Sequence, residues 1–157
     1  MKRIGITIGI ILILILSVTL ISCTTSAKKI QVVDLSQMVD SVGKNVTITM
    51  SGDVDLETLT EAFYIPEGSV EKFAGKYSLT RMNADNFIAI KAVSGNTKIV
   101  EDGLQQRIDE VKDSFANFKP EEYEKAANAK IITKGDYVFL VMTSDNKAVE
   151  KIIASYF

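Results

Sequence analysis

The 157-residue chain has no histidine and only one cysteine. Without histidine it cannot form serine–histidine or cysteine–histidine catalytic pairs, and it lacks the ligands of ordinary zinc sites. A disulfide within the chain is excluded because it requires two cysteines. Carboxylates, lysines, tyrosines and hydroxyl groups are the side chains left for chemistry. We therefore expect no catalytic residues, no metal and no cofactor, and we expect the protein not to be an enzyme.

The chain also lacks a basic stripe, a low-complexity tract and, beyond residue 22, any apolar run long enough to span a membrane. It has 18 basic and 20 acidic side chains, and Lys2 and Arg3 are the only charged residues before residue 23. The remaining 135 residues therefore carry 16 basic and 20 acidic side chains, a net charge near −4. This balance argues against a nucleic-acid partner. The length suits a single domain, predicted at residues 32–157.

The first 22 residues, MKRIGITIGIILILILSVTLIS, have a basic start, an apolar middle and a small residue at the end. This order is typical of a secretory signal peptide. The tetrad LISC, which ends at Cys23, resembles the bacterial lipobox, whose cysteine thiol receives a diacylglyceryl group and becomes the first residue of the mature protein. We predict a signal peptide at residues 1–22, a lipid on Cys23 and a polar tether over residues 23–31.

Three alternatives remain for this region. The run of residues 4–21 is just long enough for an uncleaved transmembrane helix. Cys23 could instead pair with a cysteine of another chain, or be a buried thiol, which its polar neighbours disfavour. Two acyl chains hold a protein on a bilayer stably, and a flexible tether of ~8 residues spans roughly 15 Å. The lipid interpretation therefore places the domain beside the outer face of the bacterial cytoplasmic membrane.

Four elements are predicted in residues 32–75. Apolar residues at helical spacing predict a helix between an N-cap at Asp34 and a stop at Gly43. Residues 44–50 (KNVTITM) alternate as in a half-buried strand. A helix of about eight residues follows a turn, and Pro66 begins another helical turn or two. The residues expected to face the core are Val32, Leu35, Met38, Val39, Val42, Val46, Ile48, Met50, Leu56, Leu59, Phe63, Val70 and Phe73.

The second half of the chain has clearer patterns. Two strands are predicted around a turn at residues 83–85, and the second is mostly apolar and therefore central in its sheet. A long amphipathic helix follows, and Pro120 begins another helix. Gly135 and Asp136 form a hairpin turn before a last helix. The core-facing residues are Val100, Leu104, Ile108, Val111, Phe115 and Phe118 in the long helix, and Val149, Ile152, Ile153 and Tyr156 in the last helix.

The segment FIAIKAVSGN matches YVFLVMTSDN, with Phe87 aligned to Tyr137 and Asn96 to Asn146, and a helix follows each. The match indicates a repeated hairpin-then-helix unit, or it is a coincidence, because apolar strands often end in residues that cap a helix. Two such ββα units predict an α+β fold. The expected architecture is a two-layer sandwich, with a roughly four-stranded, mostly antiparallel sheet and helices packed on one face.

Two acidic clusters are candidate sites. Asp53, Asp55 and Glu57 could approach a calcium ion, although acids at a helix start explain them as well. Glu121, Glu122 and Glu124 could act in acid–base chemistry, especially if Asp136 joined them, or they could be the charged first turn of a helix. Tyr123 is expected to pack over the helix junction.

Other candidate features are surface loops. Asn45 lies in a glycosylation pattern, NVT, which is interpreted as chance. The segment from Lys134 to Tyr137 is explained by a tight hairpin. If the domain binds a ligand, we expect the exposed sheet face or the loops at residues 83–86 and 94–96 to take part.

These features resemble a family of small Gram-positive bacterial lipoproteins that share a C-terminal domain of unknown function. The resemblance rests on the LISC cysteine and on VDLSQMVD, FYIPEGSVEKF, NADNFIAIKA, SFANFKPEEYEKA and KGDYVFLVMTSDN. It departs at KNVTITMSG, where the family looks helical. The resemblance carries no catalytic residues, and it implies a position on the outer membrane face, in some members beside O-acyltransferase systems for surface polysaccharides.

Three functions are therefore considered. The first is a non-catalytic, lipid-anchored module that binds an envelope protein or another envelope component. The second is an accessory lipoprotein of a surface-polysaccharide modification or transport system. The third, and least favoured, is an enzyme that uses carboxylates.

Overall fold

The computed structural model describes residues 32–157, which form five α-helices and five β-strands. The predicted signal peptide, Cys23 and the predicted tether lie outside these residues. Within residues 32–157, no helix is long and apolar enough to cross a membrane. The helices are α1 (Leu35–Asn45), α2 (Leu56–Glu61), α3 (Thr97–Phe115), α4 (Pro120–Ala127) and α5 (Asn146–Ala154), and the strands are β1 (Ser51–Asp53), β2 (Val70–Ser78), β3 (Asn86–Ala92), β4 (Lys130–Lys134) and β5 (Tyr137–Met142).

The five strands form one sheet in the order β1-β2-β3-β5-β4, and every neighbouring pair is antiparallel. The two central strands are apolar at successive positions, and all six residues of β5 are buried. Because successive side chains of a strand point to opposite faces, such strands require cover on both sides. The register places Asn86 opposite Met142 at one end of the sheet and Lys91 opposite Tyr137 at the other.

Each face of the sheet has its own apolar core. One face is covered by α2, α3 and α4, and the other by α1 and α5. The first core includes Leu59, Phe63, Ile88, Ile90, Val100, Leu104, Val111, Phe115, Ala126, Val138, Leu140 and Met142. The second core includes Leu35, Met38, Val39, Val42, Phe87, Ala89, Phe139, Val141, Val149 and Ile153.

The predicted α+β class with a mostly antiparallel sheet is confirmed. The sheet has five strands instead of about four, because β1 is added at the edge beside β2. The helices cover both faces instead of one, because β3 and β5 are apolar on both sides and would otherwise expose one of them to water.

The internal repeat holds in the strands and differs in the helices. Phe87 and Tyr137 both face the second core, and Ile88 and Val138 both face the first. However, α3 covers the first face and α5 the second. Since β3 and β5 are antiparallel neighbours, the helices that follow them leave from opposite ends of the sheet.

Two predicted elements are wrong. Residues 44–50 do not form a strand, because α1 continues to Asn45 and the N–H of Val46 bonds to the carbonyl of Val42, 2.8 Å away. The segment after Pro66 contains one short 3₁₀ turn (Glu67–Ser69) and then enters β2. The segment forms a strand and not a helix because it pairs closely with β3. This close pairing requires glycine at position 75, where a Cβ would lie 2.8 Å from the Phe87 carbonyl oxygen.

The other predicted elements are present. Asp34 caps α1, and its side chain accepts the Gln37 N–H at 3.0 Å. The core positions of the long helix are buried through Phe115, whereas Phe118 lies beyond the end of α3 and is 61% exposed. The β4–β5 hairpin turns at Gly135, whose φ of +61° favours glycine.

Candidate functional site

The loop between β2 and β3, residues 79–85, is tied to α4 and to the segment before β1. The Ala84 N–H donates to Glu122 Oε2 at 2.7 Å, which links the loop to α4. Lys119 Nζ donates to the Met82 carbonyl at 2.6 Å. The Thr49 N–H donates to Asp85 Oδ2 at 3.2 Å, which links the loop to the segment before β1. The loop is therefore held in one place by hydrogen bonds distant in sequence.

A buried ion cluster lies behind this loop. Lys125 Nζ is 2.8 Å from Asp85 Oδ1 and 2.8 Å from Glu122 Oε2, and the three side chains are 14%, 3% and 10% exposed. Lys119 Nζ lies 3.7 Å from Glu122 Oε1 at the solvent side. The cluster joins α4 to the start of β3, and we call it the Asp85–Glu122–Lys125 cluster.

The contacts in this cluster shift two pKa values. Burial alone would raise the pKa of Glu122, but hydrogen bonds from Lys125 and from the Ala84 N–H outweigh it, so the pKa lies below its ordinary value. Burial would lower the pKa of Lys125, but its hydrogen bonds to Asp85 and Glu122 hold the pKa above its ordinary value. Both groups are therefore charged near neutral pH.

In front of the loop is a cleft of about 670 Å³ between residues 78–86 and the second half of α3. This volume lies within the range of about 300–1,000 Å³ that is typical of ligand sites. Leu79 and Phe118 line the cleft and are 62% and 61% exposed, and Met82 beside it is 53% exposed. The full lining is Ser78, Leu79, Thr80, Arg81, Asn83, Asn86, Arg107, Glu110, Val111, Ser114, Phe115 and Phe118. We call this the loop–α3 cleft.

Two polar side chains in the lining each have a buried atom without a hydrogen-bond partner among residues 32–157. Asn86, which is 2% exposed, donates from Nδ2 to the Ala84 carbonyl, but its Oδ1 is unpaired. Arg107 bonds to Glu110 through Nη1 at 2.9 Å, and its guanidinium lies 5.3 Å from the centre of the Phe63 ring, but its Nε is unpaired. Both atoms have almost no solvent-accessible surface, so a ligand in the cleft reaches them only when the Asn86 and Arg107 side chains turn towards it.

A second, more open hollow of about 640 Å³ lies between α4, the end of β5 and α5. Its lining includes Glu121, Glu124, Lys130, Ser144 and Asn146. Its charges are mixed, and Lys130 is bound to Glu150 at 2.6 Å. This hollow has the weaker case for a binding site, because no unpaired buried polar atom of the described domain lies in its lining.

The acids that could have bound calcium have structural partners. Asp53 pairs with Lys76 at 2.7 Å. Asp55 caps α2 by accepting the Thr58 N–H at 2.7 Å. Hydrogen bonding with the Thr58 side chain, and then with its N–H, lowers the pKa of the Asp55 carboxyl. Glu57 lies in the exposed first turn of that helix. Across residues 32–157, no group of three or more acidic, cysteine or histidine side chains could hold a metal ion.

The acids considered for acid–base chemistry do not meet. Glu122 is in the buried ion cluster, whereas Glu121 and Glu124 are exposed on α4. Asp136 lies at the opposite end of the sheet, where its carbonyl accepts the Ala92 N–H. The length of β3, roughly 20 Å, separates it from Glu122. Tyr123 packs against the first core, as expected.

The predicted surface features fall in different places. Of the two loops proposed for binding, residues 83–86 contribute to the loop–α3 cleft, whereas residues 94–96 lie at the other end of the sheet. Asn45 ends α1, and its side-chain Nδ2 donates to the Ser41 carbonyl at 2.8 Å. The segment from Lys134 to Tyr137 is the β4–β5 turn. The lipid site at Cys23 lies outside the described residues.

Sequence reasoning missed Arg107 and Lys125. Both lie on amphipathic helices, where a cation normally indicates the solvated face. A signal was present in α3, because Arg107 lies between the core positions Leu104 and Ile108 instead of opposite them. Lys125 gave no such signal, because its partner Asp85 is 40 residues away in the sequence.

No curated protein and no solved structure matches the chain. One family does match, over residues 44–143, and it is described as Domain of unknown function (DUF4358). The matched range covers most of the chain and includes every residue of the loop–α3 cleft. The chain belongs to the DUF4358 family, whose domain has no known function.

Proposed function

We propose that the protein is a membrane-anchored extracytoplasmic lipoprotein whose folded domain is a non-catalytic binding module, with the loop–α3 cleft as its binding surface. The observation that carries this proposal is the coincidence, in one cleft, of exposed apolar side chains at the rim and unpaired polar atoms at the floor. Exposed apolar residues around a concave site are typical of interaction surfaces. Buried polar atoms without partners are uncommon in native proteins, and each needs an explanation such as a bound water, an ion or a ligand.

The position of the chain's entry into the domain supports this arrangement. The Val33 N–H bonds to Tyr137 Oη at 3.3 Å, at the end of the sheet where Tyr137 lies opposite Lys91. Asn86 in the cleft lies at the other end, roughly 17 Å away along β3. The first described residues therefore lie at the end of the sheet that is far from the cleft.

A non-catalytic role is supported by the chemistry of the cleft lining. Its charged residues are Arg81, Arg107 and Glu110, and Glu110 is bound to Arg107. Of the two buried carboxylates behind the cleft, Asp85 is ion-paired with Lys125, and Glu122 is held charged by Lys125 and by the Ala84 N–H. A general acid or base instead needs a pKa near the working pH and an open contact with substrate. The lining provides binding groups and no such pair.

The partner is proposed to be an envelope protein. Candidate partners include components of surface-polysaccharide O-acylation or transport systems. The resemblance to Gram-positive lipoproteins suggests these systems. The test is site-specific photo-crosslinking in intact cells, with the full chain carrying a photoreactive amino acid in place of Leu79. The same amino acid in place of Ile99 is the control, because Ile99 is 45% exposed and lies roughly 12 Å along α3 from Arg107.

We expect a discrete crosslinked product from position 79 and none from position 99. Equal products at both positions, or none at either, would contradict the proposed binding surface. The anchor is tested separately with Cys23→Ser, which should release the mature protein from the membrane fraction. An unmodified Cys23 that still follows residues 1–22, detected by mass spectrometry, would reject the lipid anchor.

A further inference from the structure

The loop–α3 cleft has a pattern of free hydrogen-bonding groups that defines a class of ligand. Asn86 Oδ1 can only accept a hydrogen bond, and Arg107 Nε–H can only donate one. Leaving such buried groups unpaired costs stability, and a ligand that pairs them recovers that cost. The complementary ligand therefore offers an N–H or O–H donor and a carbonyl-type acceptor within one short segment. A peptide backbone offers both at every residue.

The charges of the cleft restrict the ligand further. Arg107 is largely neutralised by Glu110, but Arg81 lines the cleft, is exposed and has no ion-pair partner within residues 32–157. Lys119, which bonds to the Met82 carbonyl, lies 3.7 Å from Glu122 and 4.0 Å from Glu121, so these acids balance its charge. Arg81 therefore gives the mouth of the cleft one uncompensated positive charge, on a domain that is acidic overall. Such complementarity favours an anionic partner and raises its association rate.

The rim supplies the third requirement. Leu79 and Phe118 offer apolar surface at the mouth, and Val111 and Phe115 continue it inward. An apolar side chain of the ligand can pack there while an adjacent carboxylate reaches Arg81. Arginine and aromatic residues at a concave apolar surface are typical of protein interfaces.

On these grounds, and resting on the proposed function, we propose that the loop–α3 cleft binds a short extended segment of a partner protein in which an acidic residue adjoins an apolar one. On binding, the Asn86 and Arg107 side chains turn towards the cleft, so that the segment's backbone N–H donates to Asn86 Oδ1 and its backbone carbonyl accepts from Arg107 Nε–H. Its carboxylate pairs with Arg81, and its apolar side chain packs against Leu79 and Phe118. Binding requires no covalent step.

The test is selection of displayed random heptapeptides on the full chain, purified in detergent micelles and immobilised. We expect enrichment of peptides in which Asp or Glu adjoins Leu, Ile or Phe. With Arg81→Glu, the enriched peptides should change from acidic to basic, and the affinity for the original peptides should fall about five- to tenfold. This change in preference cannot arise from unfolding, because an unfolded variant would enrich no consistent class.

Two further variants locate the binding. Ser114→Trp places a large ring in the cleft from an exposed position on α3 and should abolish binding of the selected peptides. Ile99→Trp, the matched control on the same helix, should leave it unchanged. In ¹⁵N spectra, the selected peptide should shift the side-chain amide signal of Asn86. Chitotetraose, an N-acetylated glycan, serves as the competing probe.

The outcomes separate this proposal from the proposed function. Selection of no consistent peptide class, or of one that Arg81→Glu leaves unchanged, overturns the acidic-peptide proposal. Shifts at Asn86 with chitotetraose but not with peptides also overturn it, in favour of a glycan ligand. If photo-crosslinking at position 79 still captures a specific partner in these cases, the binding module itself stands. If crosslinking fails as well, both proposals fail.

Discussion

Replacing Lys125 with methionine tests the main electrostatic feature of the domain. Lysine and methionine have similar unbranched side chains, so the change removes a charge and little apolar volume. Without the ammonium group, Asp85 and Glu122 remain as two carboxylates that are 3% and 10% exposed. Each bonds to a backbone N–H, but neither then has a neighbouring cation at 2.8 Å. We expect a large loss of stability.

The size of the loss follows from burial. Removing one partner of a buried ion pair costs about 3–5 kcal/mol when the remaining charge is left uncompensated. Asp85 is left in that position, whereas Glu122 keeps Lys119 at 3.7 Å. At a urea m-value of about 2 kcal/mol/M, the unfolding midpoint should fall by about 2 M, measured by circular dichroism. The control is Lys130→Met, which removes an equally short ion pair to Glu150 at an exposed position, 51% and 34% exposed. It should cost less than about 1 kcal/mol.

The pH dependence of the two proteins separates this explanation from a packing defect. In the wild type, folding lowers the pKa of Glu122. The contribution of Glu122 to the free energy of unfolding is therefore present above the ordinary carboxyl pKa, and it is lost as pH falls through the lower pKa of the folded state. In Lys125→Met, burial without the cation should raise the pKa of Glu122. Lowering the pH then protonates this carboxyl, and the neutral form costs less to bury than the charged form. The stability difference between the proteins should therefore narrow between pH 7 and pH 4. A difference that is constant over this range, or no larger than that of Lys130→Met, would refute the reasoning.

Three further predictions concern the fold and the charged groups. Gly103→Ala should lower the free energy of unfolding in urea by about 1–3 kcal/mol, because its Cβ would lie 2.7 Å from the Phe63 carbonyl oxygen. Gly43→Ala, in open space on α1, should raise the free energy of unfolding by about 0.5–1 kcal/mol. Asp34→Ala should cost about 1 kcal/mol by removing the cap of α1, and Asp34→Asn should cost much less; equal losses would contradict a capping role. The contribution of Lys125 to the free energy of unfolding should stay intact as pH rises to the ordinary lysine pKa. It should be lost only as pH passes the higher pKa of the folded state, which a fall in the urea unfolding midpoint at alkaline pH would show.

The elements that could be predicted from sequence are those whose signals are local. The periodicity of α3, the Asp34 cap and the glycine of the β4–β5 turn each lie within a few residues, and the structure has all three. The prediction of a strand at residues 44–50 was wrong, because apolar alternation over seven residues also fits a helix end followed by a loop. There, Val46 is buried against the second core, whereas Met50 is 67% exposed with a φ of +48°.

The strand β2 could not be predicted because its signal is tertiary. Pro66 and the two residues after it form a local helix-start pattern. In the structure this segment forms only a single 3₁₀ turn. The burial of β2 does not alternate regularly, because this strand lies near the edge and carries a glycine that contacts β3. Pairing with an apolar central strand outweighs the weak local preference.

The candidate site was only partly foreseeable. Residues 83–86 are one of the loops predicted to take part in binding, and Asn83 and Asn86 do line the loop–α3 cleft. The cleft itself is formed by a loop and a helix that meet through the fold, so no spacing in the sequence joins Asn86 to Arg107. The pairing of Asp85 with Lys125 is similarly invisible to any local pattern.

The ion cluster and the cleft are two sides of the same loop, which explains why charged groups are buried at this point. The backbone N–H of Ala84 is buried and needs an acceptor, and Glu122 supplies a charged one. That carboxylate in turn needs Lys125, whose ammonium group also pairs with Asp85 at the start of β3. An apolar replacement for all three could match the stability of the cluster. It could not hold the loop through its backbone, and the wall of the cleft depends on the position of that loop.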